Sequence, residues 1–134
     1  MKKIFAFFLI TILLTACGEE CYNPPLPIVF EFVDSNGENL ITNGTLTTYT
    51  INEENQTGVQ LSKTDDDKVL LENVGAYNGT KNYNFFSNIK NFDFSIESSE
   101  FKGGCDGYQI NKLTFTGIAI DVIDSNGYYK IVLQ

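Results

Sequence analysis

Downstream of its first twenty residues, the chain alternates apolar and polar positions over short runs bounded by turn residues. The clearest run is Asn91 to Glu97 (NFDFSIE), with Phe92, Phe94 and Ile96 on one face and Asp93, Ser95 and Glu97 on the other. That period of two predicts a half-buried antiparallel strand. Ile28 to Val33 (IVFEFV) is apolar except for Glu31 and predicts a central strand whose second face is partly covered. Leu46 to Ile51, Val59 to Lys63, Lys68 to Val74, Asn82 to Ser87 and Tyr128 to Leu133 are rich in β-branched or aromatic residues and predict further strands. Tyr108 to Ile123 is longer. Its apolar face runs on odd numbers at Leu113 and Phe115 and on even numbers at Ile118, Ile120 and Val122, so a bulge or bend is expected at Gly117. Turn clusters separate the runs, including Asp34-Ser35-Asn36-Gly37, Asn43-Gly44, Asp65-Asp66-Asp67, Asn78-Gly79, Gly103-Gly104 and Asp124-Ser125-Asn126-Gly127. The spacing predicts an all-β fold over residues 28–134, an antiparallel β-sandwich of seven to nine strands, immunoglobulin-like, or a small barrel. Phe30, Phe32, Phe92, Phe94, Phe115 and one of Phe85 or Phe86 supply the core.

The N-terminus follows a different pattern. Lys2 and Lys3 precede an apolar run of eleven residues, Ile4 to Leu14, and then Leu14-Thr15-Ala16-Cys17. Eleven residues fall well short of the roughly 20 that a membrane-spanning helix needs, but they suit the apolar centre of a secretory signal. Charge, apolar run and LTAC in that order resemble the signal and lipobox of bacterial lipoproteins. The resemblance implies cleavage after residue 16, a diacylglycerol thioether on Cys17 and acylation of the new N-terminus. Several acyl chains make a stable anchor where one makes a marginal one. Gly18, Glu19 and Glu20 follow the cysteine. The absence of Asp after the lipobox implies the outer membrane, and the acidic pair is similar to the surface-export signal of Bacteroidetes lipoproteins. The expected location is therefore the outer membrane of a bacterial envelope, on its periplasmic or its external face, with the membrane as a partner through the anchor.

Composition sharpens this picture once the signal is set aside. The whole chain of 134 residues carries nine Lys and 17 acids, a net −8, with no Arg, His or Trp. Loss of Lys2 and Lys3 leaves seven Lys and a net −10 over 118 residues. Such a surface disfavours nucleic acid, which is bound through cationic contacts to phosphate. The missing His excludes Ser-His-Asp and Cys-His catalysis and the His-dependent zinc sites. Beside the lipidated Cys17, Cys21 and Cys105 remain. An exported chain meets an oxidising compartment, so these two are expected to pair. The chain-entropy argument values closure of so long a loop at about 4–5 kcal/mol. The rival reading, a reactive or metal-binding thiol, is opposed by Glu19, Glu20 and Asp106, which would raise a thiol pKa. Residues 17–27, with Pro24, Pro25 and Pro27, read as a lipidated N-terminus and a short stiff tether.

The string DSNG occurs at 34–37 and again at 124–127, each time after an apolar strand. Phe32 to Leu40 with Gly44-Thr45-Leu46 resembles the opening of transthyretin-like, carboxypeptidase-regulatory-type sandwich domains. Asp124 to Ile131 resembles their second strand pair, although here it ends the chain. The resemblance implies a binding or structural module and no catalytic residues.

Candidate chemistry is sparse. Asp65-Asp66-Asp67 offers hard oxygens for Ca²⁺, but lacks the spacing and the later Glu of an EF-type loop and reads as a solvated hairpin tip. Asp93, Glu97 and Glu100 offer a glycosidase-like carboxylate pair or simply a wet strand face. Tyr77, Tyr83, Tyr108, Tyr128 and Tyr129 offer sugar-stacking rings or ordinary strand-edge residues. Asn43, Asn55 and Asn78 match the glycosylation sequon and mark surface turns. No cofactor or metal is expected. Three functions remain in order of preference: a non-catalytic envelope module that binds a protein or glycan partner or serves a structural role; an acidic inhibitor or immunity factor steered to a cationic hydrolase; and a His-free carboxylate hydrolase.

Overall fold

The computed structural model describes residues 21–55, 57–117 and 120–133; the lipobox and Cys17 lie outside them. Two five-stranded sheets face each other, and among the described residues there is no helix. In chain order the strands are β1 (Tyr22–Asn23), β2 (Ile28–Val33), β3 (Tyr49–Glu53), β4 (Leu61–Lys63), β5 (Val69–Leu71), β6 (Gly79–Ser87), β7 (Phe92–Gly103), β8 (Cys105–Thr116), β9 (Asp121–Asp124) and β10 (Tyr129–Val132). One sheet runs β1-β8-β7-β6-β3 and the other β4-β5-β2-β10-β9.

The all-β, two-sheet architecture is the one the alternation predicts, with ten strands where seven to nine were expected. Both sheets are mixed: β1 pairs with β8 and β2 pairs with β10 in parallel. Each parallel pair joins segments far apart in sequence. Such pairing needs a long crossover, so no local turn announces it. β2 is the middle strand of its sheet, as its apolar run implies. Within the 17–27 stretch read as a tether, Tyr22 and Asn23 lie in register with Asp106 and Gly107.

The core is aromatic and spans both sheets. Phe30 and Phe32 of β2 are buried with Tyr83 and Phe85 of β6 and Phe92 and Phe94 of β7. Phe85 is therefore the core residue and Phe86 the exposed one, on the opposite face of the same strand. Phe32 stacks on Phe85 at 4.7 Å between ring centroids, and Phe30 meets Phe94 edge-on at 5.4 Å. Phe115 and Tyr129 close the ring set around Phe30 at 5.9 and 6.3 Å. Offset and edge-on pairs of this kind add to the hydrophobic gain from burial.

The bend expected at Gly117 in the Tyr108 to Ile123 run is present, and a bulge that was not expected precedes it. Glu97 pairs with Lys112 but Ser98 pairs with Ile110, so Asn111 is the extra residue of a bulge in β8. That bulge brings even-numbered Ile110 and odd-numbered Leu113 and Phe115 onto one face. Gly117, at φ +105°, is the bend that follows β8, and the chain enters the other sheet as β9. One apparent strand is thus two. Leu46 to Thr48 likewise falls short of β3, because the Asn88 side chain takes up its backbone. Asn88 Oδ1 accepts from the N–H groups of Thr47 and Thr48, and Asn88 Nδ2 donates to the Thr45 carbonyl.

The two DSNG strings form different turns. At 124–127 the string closes the β9–β10 hairpin, with Asn126 and Gly127 at positive φ. At 34–37 the Asp34 carboxylate accepts from the backbone N–H groups of Asn36 and Glu38, both at 2.9 Å. These bonds hold its pKa below the ordinary aspartate value. Only one bridge, Val33 to Asn39, follows that turn.

Cys21 and Cys105 form the expected disulfide, with Cα atoms 5.0 Å apart. It fastens the start of β1 to the tip of the β7–β8 hairpin. Gly107 makes room for this docking. A Cβ added there would overlap the Asn23 carbonyl, and even the carbonyl carbon of Asn23 lies only 2.6 Å from that position.

Two predictions follow from the packing. Phe30→Ala should cost about 3–5 kcal/mol and Phe86→Ala less than about 1 kcal/mol, read as a fall in denaturation midpoint at unchanged slope. Reduction of the bridge, or Cys105→Ser, should lower stability by about 2–5 kcal/mol in the same assay; an unchanged midpoint would remove the staple from the account.

Candidate functional site

The best-formed site lies at one end of the sandwich, where inward-facing positions turn from apolar to polar. Along β3 the inner face reads Tyr49, Ile51, Glu53, and along β6 it reads Phe85, Tyr83, Lys81. Ile51 and Phe85 are in the core, whereas Glu53 and Lys81 lie one step beyond it. There they line a cleft of about 330 Å³ with Gln60, Glu72, Tyr77 and Tyr83. A volume of this order sits at the small end of ligand pockets. A second concavity of about 350 Å³ lies on the β7–β8 hairpin. We place the candidate site in the first, because its polar groups converge from both sheets.

The groups in the cleft hold one another. Lys81 Nζ donates to Glu53 Oε1 at 2.7 Å and lies 4.7 Å from the centroid of the Tyr77 ring. The Lys81 side chain is 41% exposed, so this ion pair belongs with surface pairs worth up to about 1 kcal/mol and serves mainly to orient both groups. Tyr77 OH donates to the Ile96 carbonyl at 3.0 Å, which leaves its oxygen to accept from Tyr83 OH at 3.2 Å. The result is a relay from a buried phenol through a half-buried one to the backbone of β7. Burial pushes both phenol pKa values up. For Tyr83 the hydrogen bond it donates to Tyr77 acts in the same direction. Both rings stay neutral at ordinary pH and serve as donors and packing surface. Buried Ser98 Oγ sits beside Tyr77 and counters part of the rise in its pKa. Its neighbour Gly75 is at φ +86°, where a Cβ would stand 2.7 Å from Ile110.

The residues singled out from sequence do not gather here. Of the five tyrosines, Tyr77 and Tyr83 line the cleft, Tyr108 lies on the hairpin, and Tyr128 and Tyr129 belong to the other sheet's β9–β10 hairpin. They form no common stacking platform. Asp65-Asp66-Asp67 is the β4–β5 hairpin tip, and two of its three carboxylates have side-chain partners. Asp66 pairs with Lys68 and accepts from Thr64; Asp67 pairs with Lys63 at 2.7 Å and accepts from Thr42 at 2.8 Å. These partners hold both pKa values below the ordinary range. Among the described residues no group of three or more acidic or cysteine side chains is arranged to hold a metal ion. Asp93 and Glu97 lie on the outer face of β7, where Asp93 accepts from Asn84 at 2.7 Å. Glu100 falls on the opposite phase of the strand, 3.6 Å from Lys102. The three acids are spread along a wet strand. Asn43, Asn55 and Asn78 all sit in turns or bends, as their sequons imply.

Reading the sequence for motifs missed Glu53 and Lys81. The signal was nonetheless present: the same alternation that buries Ile51 and Phe85 carries Glu53 and Lys81 inward.

The relay can be tested by a mutant cycle. Tyr77→Phe strands the buried Tyr83 hydroxyl and should cost about 1–3 kcal/mol. The double variant Tyr77→Phe/Tyr83→Phe should cost no more than Tyr77→Phe alone, because both partners are then apolar. Additive losses would show that the two hydroxyls are not coupled. Compared with known protein families, curated proteins and solved structures, the chain matches none of them.

Proposed function

We propose that the chain is a lipid-anchored protein of the bacterial cell envelope, with an anchor at Cys17 and a sandwich that acts as a non-catalytic binding or structural module. The observation that carries this reading is the Cys21–Cys105 disulfide. It is the bridge expected of a chain that folds in an oxidising compartment, and it begins four residues after the cysteine of the lipobox-like segment. The order of Lys2, Lys3, the apolar run and LTAC supports the same route. The outer membrane is the location that Gly18, Glu19 and Glu20 favour.

The cleft supports recognition over chemistry. Its ammonium is held by the Glu53 carboxylate, and its phenols are kept protonated by burial. A half-buried aromatic ring beside polar groups suits a protein side chain or a glycan segment. The acidic surface would speed encounter with a basic partner.

Two measurements test this. Intact mass of the protein extracted from membranes should correspond to a chain that begins at Cys17 and carries diacylglycerol and an amide-linked acyl chain. Cys17→Ser should accumulate as the full-length precursor; normal processing of that variant would defeat the anchor. On an array of bacterial envelope glycans, binding by the lipidated protein should weaken about tenfold or more, roughly 1.4 kcal/mol, on Lys81→Ala. Release of new reducing ends from those glycans would defeat the non-catalytic assignment.

A further inference from the structure

The β7–β8 hairpin reaches beyond the core and carries an apolar patch at its far end. Tyr22, Leu26 and Phe101 are 55%, 83% and 36% exposed, and they are three of the five large apolar side chains exposed among the described residues. Phe101 and Tyr108 line both concavities of this region, one shared with Tyr22 and the other with Leu26. The Phe101 ring lies over Gly103, where an added Cβ would come within 3.1 Å of it, so the ring is aimed toward the tip. Along the hairpin the inward face has already run out of partners: after buried Ser98, residues 100–104 are all exposed.

We propose that this hairpin end is a membrane-contact foot, with Tyr22, Leu26 and Phe101 seated among zwitterionic lipid headgroups. The proposal rests on the lipid anchor at Cys17 and adds an orientation to it. Cys21 is stapled to the hairpin tip at Cys105. Four residues of chain span at most about 14 Å, and the bridged Cα atoms are 5.0 Å apart, so in any conformation the tip stays within about 19 Å of the Cys17 backbone. An apolar patch held so close to inserted acyl chains gains by leaving water, and Tyr is well suited to the headgroup layer with its ring in an apolar setting and its hydroxyl wet. The staple and the docking of β1 on Gly107 fix Tyr22 beside the hairpin before binding, so little ordering cost remains within the patch. Glu100 and Asp106 border the patch against a single cation, Lys102, and this acidic balance favours zwitterionic over anionic headgroups. Phe86 is at the other end of the sheet. Its neighbour Phe85 pairs with Phe92, nine residues along β7 from Phe101, which is about 30 Å at 3.3 Å per residue.

The chain has no Trp, so a single introduced indole reports one position. Leu26→Trp, Phe101→Trp and Phe86→Trp would each be prepared as the full lipidated protein, with acylation and the Cys21–Cys105 bridge verified by mass. Each would then be reconstituted in phosphatidylcholine vesicles with brominated acyl chains. Emission from positions 26 and 101 should be quenched at least about twofold more than from position 86. Equal quenching at all three positions, or a blue shift at 26 and 101 without quenching (the mark of a second copy covering the patch), would overturn the foot while the anchor stands. Protein that arrives without acyl chains would overturn both.

Discussion

Burial of Phe30 and Phe32 beneath the rings of the facing sheet is the interaction on which the architecture depends. β2 is the middle strand of one sheet, flanked by β5 and β10. Its inward rings touch Phe85 and Phe94 of the other sheet, and through Phe115 and Tyr129 they tie in β8 and β10. Each full burial of such a ring removes on the order of 150–250 Å² from water. The strands around it are short, three residues in β4 and β5 and four in β9 and β10, too short to hold a sheet by their own hydrogen bonds. Side chains crossing between the sheets make those short ladders stable.

The same constraint explains where the polar and apolar features outside the core fall. β7 and β8 run for 12 residues each, whereas β2 runs for six. One sheet therefore outruns the other by about 20 Å. Where the longer sheet loses its partner, its residues become an exposed hairpin, and a two-residue strand, a disulfide and Gly107 secure it. Toward another margin of the sandwich, the inward positions of β3 and β6 pass the last buried rings and become Glu53 and Lys81. Both regions are places where alternation continues after the hydrophobic reason for it has ended.

That distinction governs what the sequence discloses. The fold class follows from period-two alternation, which is local: Phe92, Phe94 and Ile96 are buried as their spacing requires. The pairing of Cys21 with Cys105 was legible from the count of cysteines together with the export that the N-terminal segment implies. Parallel pairing of β2 with β10 is not legible, because it joins segments with almost the whole domain between them. The bulge at Asn111 is hidden for a related reason. Lys112 and Asn111 are both polar, so the change of phase between Ile110 and Leu113 shows only when β7 supplies the register. Glu53 and Lys81 were legible as inward-facing positions but not as partners, since 28 residues separate them and only the adjacency of β3 and β6 brings them to 2.7 Å.

The staple has a consequence beyond loop entropy. β1 is two residues long and exposed, and a parallel pair of that length has little stability of its own. With Cys21 bonded to Cys105, Tyr22 and Asn23 start in register with Asp106 and Gly107, so the ordering cost of that pairing is already met by the covalent link. Gly107 then allows the Asn23 carbonyl to approach more closely than any side chain would permit. Pro24, Pro25 and Pro27 carry the chain from this edge to β2 in the opposite sheet with few accessible conformations. A force applied at Cys21 therefore passes through the bridge into β8, the strand that packs Phe115 against Phe30. The covalent link, the glycine and the prolines together make residues 21–27 a stiff part of the sandwich.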